Sequence, residues 1–438
     1  MIEATPPQAA VDQPPRVRGR LGRQLLRVRT LDWSWVLLTL LLVVALGCRL
    51  LWLDKPDGQL IFDEEYYVNA ARVILGWPVA PDAPYATAPA GFDPNTEHPP
   101  AAKLLIAASM WLVGDNALGW RLASVAFGML SILLLYGVVR QLGAPPRVAR
   151  LAAFVYAFDN LVLVHSRIAT LDIFVVSFLL LGVYAYLAGK PTVAGLACVA
   201  ATLCKLTGVY SLVALVAFEG LRLLRRWLEQ TGVNRAQLQR LLWTIVVYLV
   251  ALPVVLGGLD HFWSSSYNNP IAHLDHMVAY GLALTRPEGP QGEESSPWQW
   301  LVNDVPMTYL RVDEQVRAQD ELQSARALIF FRGAMNPYVI GIAPLAIAYA
   351  GYAAWTRRDD GAVLVLSLFS MTYGPFWPAA LLAHRISYLF YFLPTLPAVA
   401  IGASHFLYAP QTPRIVRWAY IGAVLLGFSV YFPFRTVP

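Results

Sequence analysis

The chain has 438 residues, of which 57% are hydrophobic and only 14% charged, with a net charge of +5. A soluble domain carries about a quarter charged residues, so this composition excludes a water-soluble globular enzyme and leaves a multi-span membrane protein. The three cysteines, Cys48, Cys198 and Cys204, all lie in or beside apolar runs, which suggests neither a disulfide framework nor a metal knuckle.

Residues 1–30 come first: a polar stretch with arginines at 16, 18, 20, 23, 27 and 29, read as a disordered basic cytoplasmic arm. The apolar run that follows is too long, and too poorly followed by a cleavage site, to be a signal peptide. Residues 31–438 then read as one membrane domain. Spans are expected at roughly 33–53, 120–139, 151–165, 171–188, 192–204, 206–221, 241–258, 337–355, 361–382, 386–408 and 416–434, the third and fifth of them short for a bilayer crossing. No alternating segments of a barrel are visible, so the fold class is an all-α polytopic bundle of about 11 transmembrane helices.

Arginine and lysine placement orients it. With the N-terminus inside, the inner segments are the basic arm, Arg140–Arg150, Lys190, Arg222–Arg240, Arg357–Arg358 and Arg414–Arg417. The outer segments are a long loop at 54–119, turns near Arg167 and Lys205, a second long loop at 259–336, and a turn at His384–Arg385. The positive balance is therefore a topology signal. The bilayer is the partner it implies, and no nucleic acid.

Chemistry gathers in the outer segments. "FDEEYYVNAARVILG" places Asp63, Glu64 and Glu65 at the start of an amphipathic stretch suited to the membrane interface. Helix capping by Asp63, with acids in the first turn, is the ordinary reading of that cluster. Next comes "HPPAAK", where Pro99 and Pro100 open a helix with Lys103 in its first turn. A cation beside a helix N-terminus suits phosphate, whereas loop punctuation with a snorkelling lysine is the plain alternative. Arg121 in "GWRLASVAFG" begins the second span. "HSRIATLDIF" packs His165, Arg167 and Asp172 into one turn, where a salt bridge would also explain them. Lys205 in "CKLTGVYS" stands between two apolar runs with almost no loop, so it faces a cavity or a partner. His384 and Arg385 repeat the pattern in "HRISYLFYFLPTLP".

A positive-inside bias gives no reason for Lys103, Arg121, Arg167, Lys205 and Arg385 to share the outer side. Together they describe an anion pocket near the headgroups. With carboxylates on the same side, the simplest ligand is a lipid-linked phosphate, and an acid would activate the attacking group as general base.

These motifs, with "SSPWQWLVNDVPMTYL" and "GAMNPYVIGIAPL", resemble the protein O-mannosyltransferase family (glycosyltransferase family 39, of the GT-C superfamily), in its bacterial form, over about residues 50–405. The resemblance implies a GT-C-type helical bundle whose two long outer loops carry interfacial helices. It implies transfer of mannose or another hexose from a polyprenyl phosphate to an acceptor hydroxyl, on a secreted or membrane protein, outside a bacterial cytoplasmic membrane. The family's catalytic Asp–Glu pair falls on Asp63 and Glu64. Its donor-phosphate cations fall on Arg121, Lys205 and Arg385, with Arg167 and Lys103 beside them. His98, Asp172 and Trp298 are the expected acceptor or sugar contacts. The loop at 259–336 is too short for the folded insertion of the eukaryotic members, which leaves a lipid or glycan acceptor open. The related aminoarabinose transferases of the superfamily share the "HPP" region.

No nucleotide motif appears, as befits an activated lipid donor. No cofactor is expected. His261, His273 and His276 lack a zinc-site spacing and read as loop hydrogen-bonding residues. A lipid-linked-sugar transporter would use Asp159 and Asn160 as a polar pathway and would show repeated halves, which this sequence lacks.

Overall fold

The computed structural model describes residues 33–232, 234–318 and 321–435; the expected basic arm at 1–30 lies outside them. Among these residues, eighteen α-helices, two 3-10 helices (Leu206–Val209 and Leu389–Thr395) and one β-ribbon follow in order. They are α1 (Trp33–Leu50), α2 (Glu64–Leu75), α3 (Ala101–Val113), α4 (Ala117–Gln141), α5 (Pro146–Ala157) and α6 (Asn160–His165). Then come α7 (Asp172–Leu187), α8 (Pro191–Cys204), α9 (Tyr210–Leu228), α10 (Arg235–Trp263), α11 (Pro270–Ala283) and α12 (Pro297–Trp300). The antiparallel strands β1 (Met307–Ala318) and β2 (Glu321–Gly333) precede α13 (Pro337–Gly341), α14 (Ala343–Thr356), α15 (Asp360–Tyr373), α16 (Phe376–Ala383), α17 (Leu396–Leu407) and α18 (Arg414–Tyr431).

Local chemistry sets many of the ends. Asn116 caps α4 by accepting from the Leu118 and Gly119 amides, and Asn234 and Asp359 do the same for α10 and α15. Gly76, left-handed at φ 70°, closes α2. The fold is a helical bundle around α7, which packs against α4 and α8; α8 in turn meets α10, and α17 lies among α5, α14 and α15. Along α7, Ile173, Phe174, Val176, Leu180 and Val183 are all fully buried. At the periphery α1 and α10 turn Leu40, Val43, Leu249 and Val254 outward, apolar surface that suits lipid.

Among the described residues, seven helical stretches are long and apolar enough to cross a membrane: Trp33–Leu50, Ala117–Gln141, Leu206–Leu228, Arg235–Trp263, Pro337–Thr356, Asp360–Ala383 and Leu389–Leu407. The remaining expected spans fall on shorter or less apolar helices. The one expected at 151–165 is broken: α5 ends at Ala157, and Asp159 caps α6 while also accepting the Asn336 amide at 2.9 Å. Asn160 donates to the Phe428 carbonyl at 3.1 Å. These two polar residues thus tie α6 to the start of α13 and to α18, the helix-contact role rather than a transport path. Lengths near 14 residues suffice for α8 because it is walled by other helices.

The first long loop carries α2 and α3, and the second carries α11, α12 and the ribbon. The ribbon is absent from the sequence expectations, which placed only helices there. The adjacent apolar pair Tyr309 and Leu310 and the polar run Asp313, Glu314 and Gln315 interrupt the period-two pattern that announces a strand. Its register slips at Tyr309, where Thr308 pairs with Arg332 but Leu310 with Phe331. One extra residue on β1 redirects a side chain, and Tyr309 is buried with its ring stacked on Phe62, centroids 4.1 Å apart. Along the other edge of β2, the Phe330 amide bonds the Pro433 carbonyl and the Arg435 amide bonds the Leu328 carbonyl.

Candidate active site

A cavity of about 840 Å³ opens where the two long loops meet the ends of α8, α9 and α16. Asp63, Glu97, His98, Lys205, Glu293 and Arg385 supply its polar wall. Each arrives there for a local reason.

Phe62 is left-handed at φ 55°, and Asp63 occupies the cap position of α2. Its carboxylate caps nothing, because it makes no bond to the first-turn amides. It faces the cavity instead. Burial pushes the Asp63 carboxyl up to about 7, and Asp172 adds to that push while Lys205 opposes it. One residue on, Glu64 turns the other way and is fully buried. It accepts Ile61 N at 2.8 Å, Ala169 N at 2.9 Å, and Arg121 Nε and Nη2 at 2.9 and 2.8 Å. Glu65 is exposed in the first turn.

Lys205 sits at the break between α8 and a 3-10 turn, Leu206–Val209. Gly208 permits the break, since a Cβ there would lie 2.1 Å from the Ala201 carbonyl oxygen. The ammonium donates to Asp172 Oδ1 at 2.8 Å, and the rings of Phe390 and Tyr391 lie 5.0 and 5.2 Å away. Arg385 follows α16 and donates from Nη1 to the Gly281 carbonyl, pinning the end of α11. Among the described residues no carboxylate pairs with Arg385, so its charge is open to an anion.

The other expected phosphate cations stand elsewhere. Arg121 uses all five guanidinium N–H groups: two on Glu64, and the rest on the carbonyls of Leu53, Lys55 and Gln59. None is left for a phosphate, and the residue does not line the cavity. Arg167 folds back onto the Cys48, Leu51 and Trp52 carbonyls at the end of α1, with the Phe434 ring 5.3 Å away. Lys103 is fully buried against Asp93 at 2.6 Å and donates to the carbonyls of Asn95 and His98. It shapes the loop that presents Glu97 and His98. The expected five-cation pocket is therefore two cations at the cavity and three that hold the first long loop and its neighbours in place.

His98 lines the cavity, and burial, with Lys205, Lys103 and Arg385 nearby, holds its imidazole well below the usual range, hence neutral at pH 7. Asp172 stands behind Lys205 rather than in the wall. Trp298 is outside: it is exposed and packs on Trp377, centroids 5.7 Å apart.

The family model described as dolichyl-phosphate-mannose-protein mannosyltransferase matches residues 97–256. A polyprenol-phosphate-mannose–protein mannosyltransferase of Mycolicibacterium smegmatis is 24% identical over 496 aligned residues, covering 92% of this chain and 89% of that relative. The chain is thus similar to protein mannosyltransferases that use a polyprenol-phosphate donor over most of its length. Its fold matches the S. cerevisiae protein O-mannosyltransferase Pmt1-Pmt2 complex bound to the sugar donor, with TM-score 0.67 at 13% identity over 95% of this chain and 92% of that one. ArnT from Cupriavidus metallidurans bound to undecaprenyl phosphate shares the fold at TM-score 0.53 and 18% identity, over 94% of this chain and 64% of that one.

Sequence reasoning overlooked Glu97, Glu293, Tyr388 and Tyr391 in the cavity wall. Glu97 directly precedes the quoted "HPP" motif, and Tyr391 lies within "HRISYLFYFLPTLP", so both had a signal. Glu293 sits in an irregular loop segment and had none.

Proposed function

We propose that this protein is an integral-membrane glycosyltransferase that moves mannose, or another hexose, from a polyprenyl phosphate to a hydroxyl of a secreted or membrane protein. The observation that carries the reading is the opposition within one cavity of an uncapped carboxylate, Asp63, and two cations, Lys205 and Arg385. A hydroxyl is a weak nucleophile at neutral pH. Asp63 takes its proton as the oxygen attacks the anomeric carbon. The bond from that carbon to the lipid phosphate breaks, and Lys205 and Arg385 stabilise the charge left on the phosphate. Asp172 holds the Lys205 ammonium in place. Neutral His98 donates or accepts a hydrogen bond at the sugar or acceptor.

Eleven crossings, an inside N-terminus and a cavity on the extracytoplasmic side of a bacterial inner membrane complete the proposal. The arginine asymmetry supports them. Incubating the purified protein with radiolabelled polyprenyl-phosphate sugars and threonine-containing peptides tests the reading. Label that stays in the lipid fraction with every sugar and every peptide would reject it.

Arg385→Ala and Lys205→Ala should each weaken donor binding by about 1.5–3 kcal/mol, the range for a hydrogen bond to a charged group. Equilibrium binding of polyprenyl phosphate measures this, and unchanged affinity in both variants would remove the phosphate role. The pH dependence has a definite sign. Asp63 acts when ionised and its carboxyl titrates at about 7, so kcat/KM should climb with pH below that value and level off above it. A profile already flat at mildly acidic pH would exclude Asp63 as the titrating base.

A further inference from the structure

The β-ribbon has two edges, and only one is taken. The outer edge of β2 pairs with the chain's own residues 433–435. Along β1 the situation differs. Among the described residues, no main-chain hydrogen bond joins residues 307–314 to anything but β2. At the inner end of that edge, the Thr308 amide donates to the Glu293 carboxylate at 2.7 Å. Glu293 and Met307 both line the catalytic cavity. The strand is also anchored there, since Tyr309 stacks on Phe62, next to Asp63, and its hydroxyl meets His165 Nε2 at 2.9 Å. An open row of main-chain donors and acceptors thus begins at the cavity and runs away from it on a fixed base.

Folded proteins cover or shorten such edges because they template pairing with another chain. Here the edge begins beside the proposed base. We propose that β1 docks the acceptor as an added strand: an extended polypeptide pairs with its free edge and is led past Glu293, so that a serine or threonine hydroxyl reaches Asp63. The inference rests on the protein-acceptor reading above and adds how that acceptor is held. Main-chain pairing recognises any extended segment without reading its side chains. It suits a transferase whose acceptor need only be an unfolded stretch carrying a hydroxyl. Glu293, which accepts the Thr308 amide, puts a negative charge at the start of the edge, so segments with a basic flank there fit it and acidic flanks do not.

An amide N-methylation scan of a single-threonine peptide tests this with the unaltered protein and polyprenyl-phosphate mannose. Side chains and main-chain groups of a strand alternate in direction. Methylation at every second residue should raise the peptide KM by about three- to tenfold per blocked rung while kcat holds, and methylation at the intervening residues should do nothing. A scan that is flat, or uniform without the alternation, on a peptide that is glycosylated would overturn β1 docking and leave the transferase reading intact. No transfer to any unmethylated peptide, with the same preparation glycosylating a lipid or glycan hydroxyl, would overturn the protein-acceptor reading and the docking with it.

Discussion

Asp63→Asn is expected to abolish most sugar transfer, by about 10²-fold or more, the usual contribution of a general base. Folding and donor binding should persist. The substitution is nearly isosteric, and the native side chain makes no capping bond whose loss would destabilise α2. Removing a carboxyl that burial already pushes up to about 7 takes away a group that is costly to ionise, so stability should not fall. The informative control is Glu65→Gln, which changes an exposed acid in the first turn of the same helix and should be near neutral. Single-turnover transfer with saturating donor separates the outcomes. Wild-type transfer by Asp63→Asn would mean that another carboxylate of the same wall, Glu97 or Glu293, takes the proton.

The bundle was legible because long apolar runs have few other fates. Individual spans were less so. A helix such as α8, enclosed by protein, need not match the bilayer thickness, so length and hydropathy lose their force. The site was half legible for a related reason. A cation at a helix end can face a cavity, as Lys205 and Arg385 do, or turn back onto carbonyls, as Arg121 and Arg167 do. Sequence position is the same in both cases. The difference is made by which backbone oxygens the fold brings near, and those come from loop residues 53–59 and the end of α1, distant in the chain. The same limit applies to "DEE": three adjacent acids point three ways, to the cavity, to an arginine and to solvent, and only the helix start fixes which.

Breaking the Glu64–Arg121 pair should cost the fold rather than the chemistry. Both groups are buried and the pair is bidentate, with Arg121 also closing the carbonyls of Leu53, Lys55 and Gln59 over the start of the first outer loop. Arg121→Ala would leave a buried carboxylate facing only the Ile61 and Ala169 amides, and Glu64→Ala would leave a buried guanidinium. Either should destabilise the protein by about 3–5 kcal/mol, the cost of stranding one partner of a buried ion pair. Arg121→Lys is the sharper test, because it keeps the charge. An ammonium offers only three N–H donors in place of five, with no planar fork to match the carboxylate, so stability should still drop. Donor affinity of the folded fraction should not change, because Arg121 has no N–H turned to the cavity. Thermal unfolding in detergent and polyprenyl-phosphate binding read the two quantities separately. An Arg121→Lys protein with wild-type melting, together with an Arg121→Ala protein that melts normally but binds donor weakly, would return Arg121 to the phosphate. A loss of melting temperature at unchanged donor affinity would fix it as the clamp that holds Glu64, and through it the turn on which Asp63 stands.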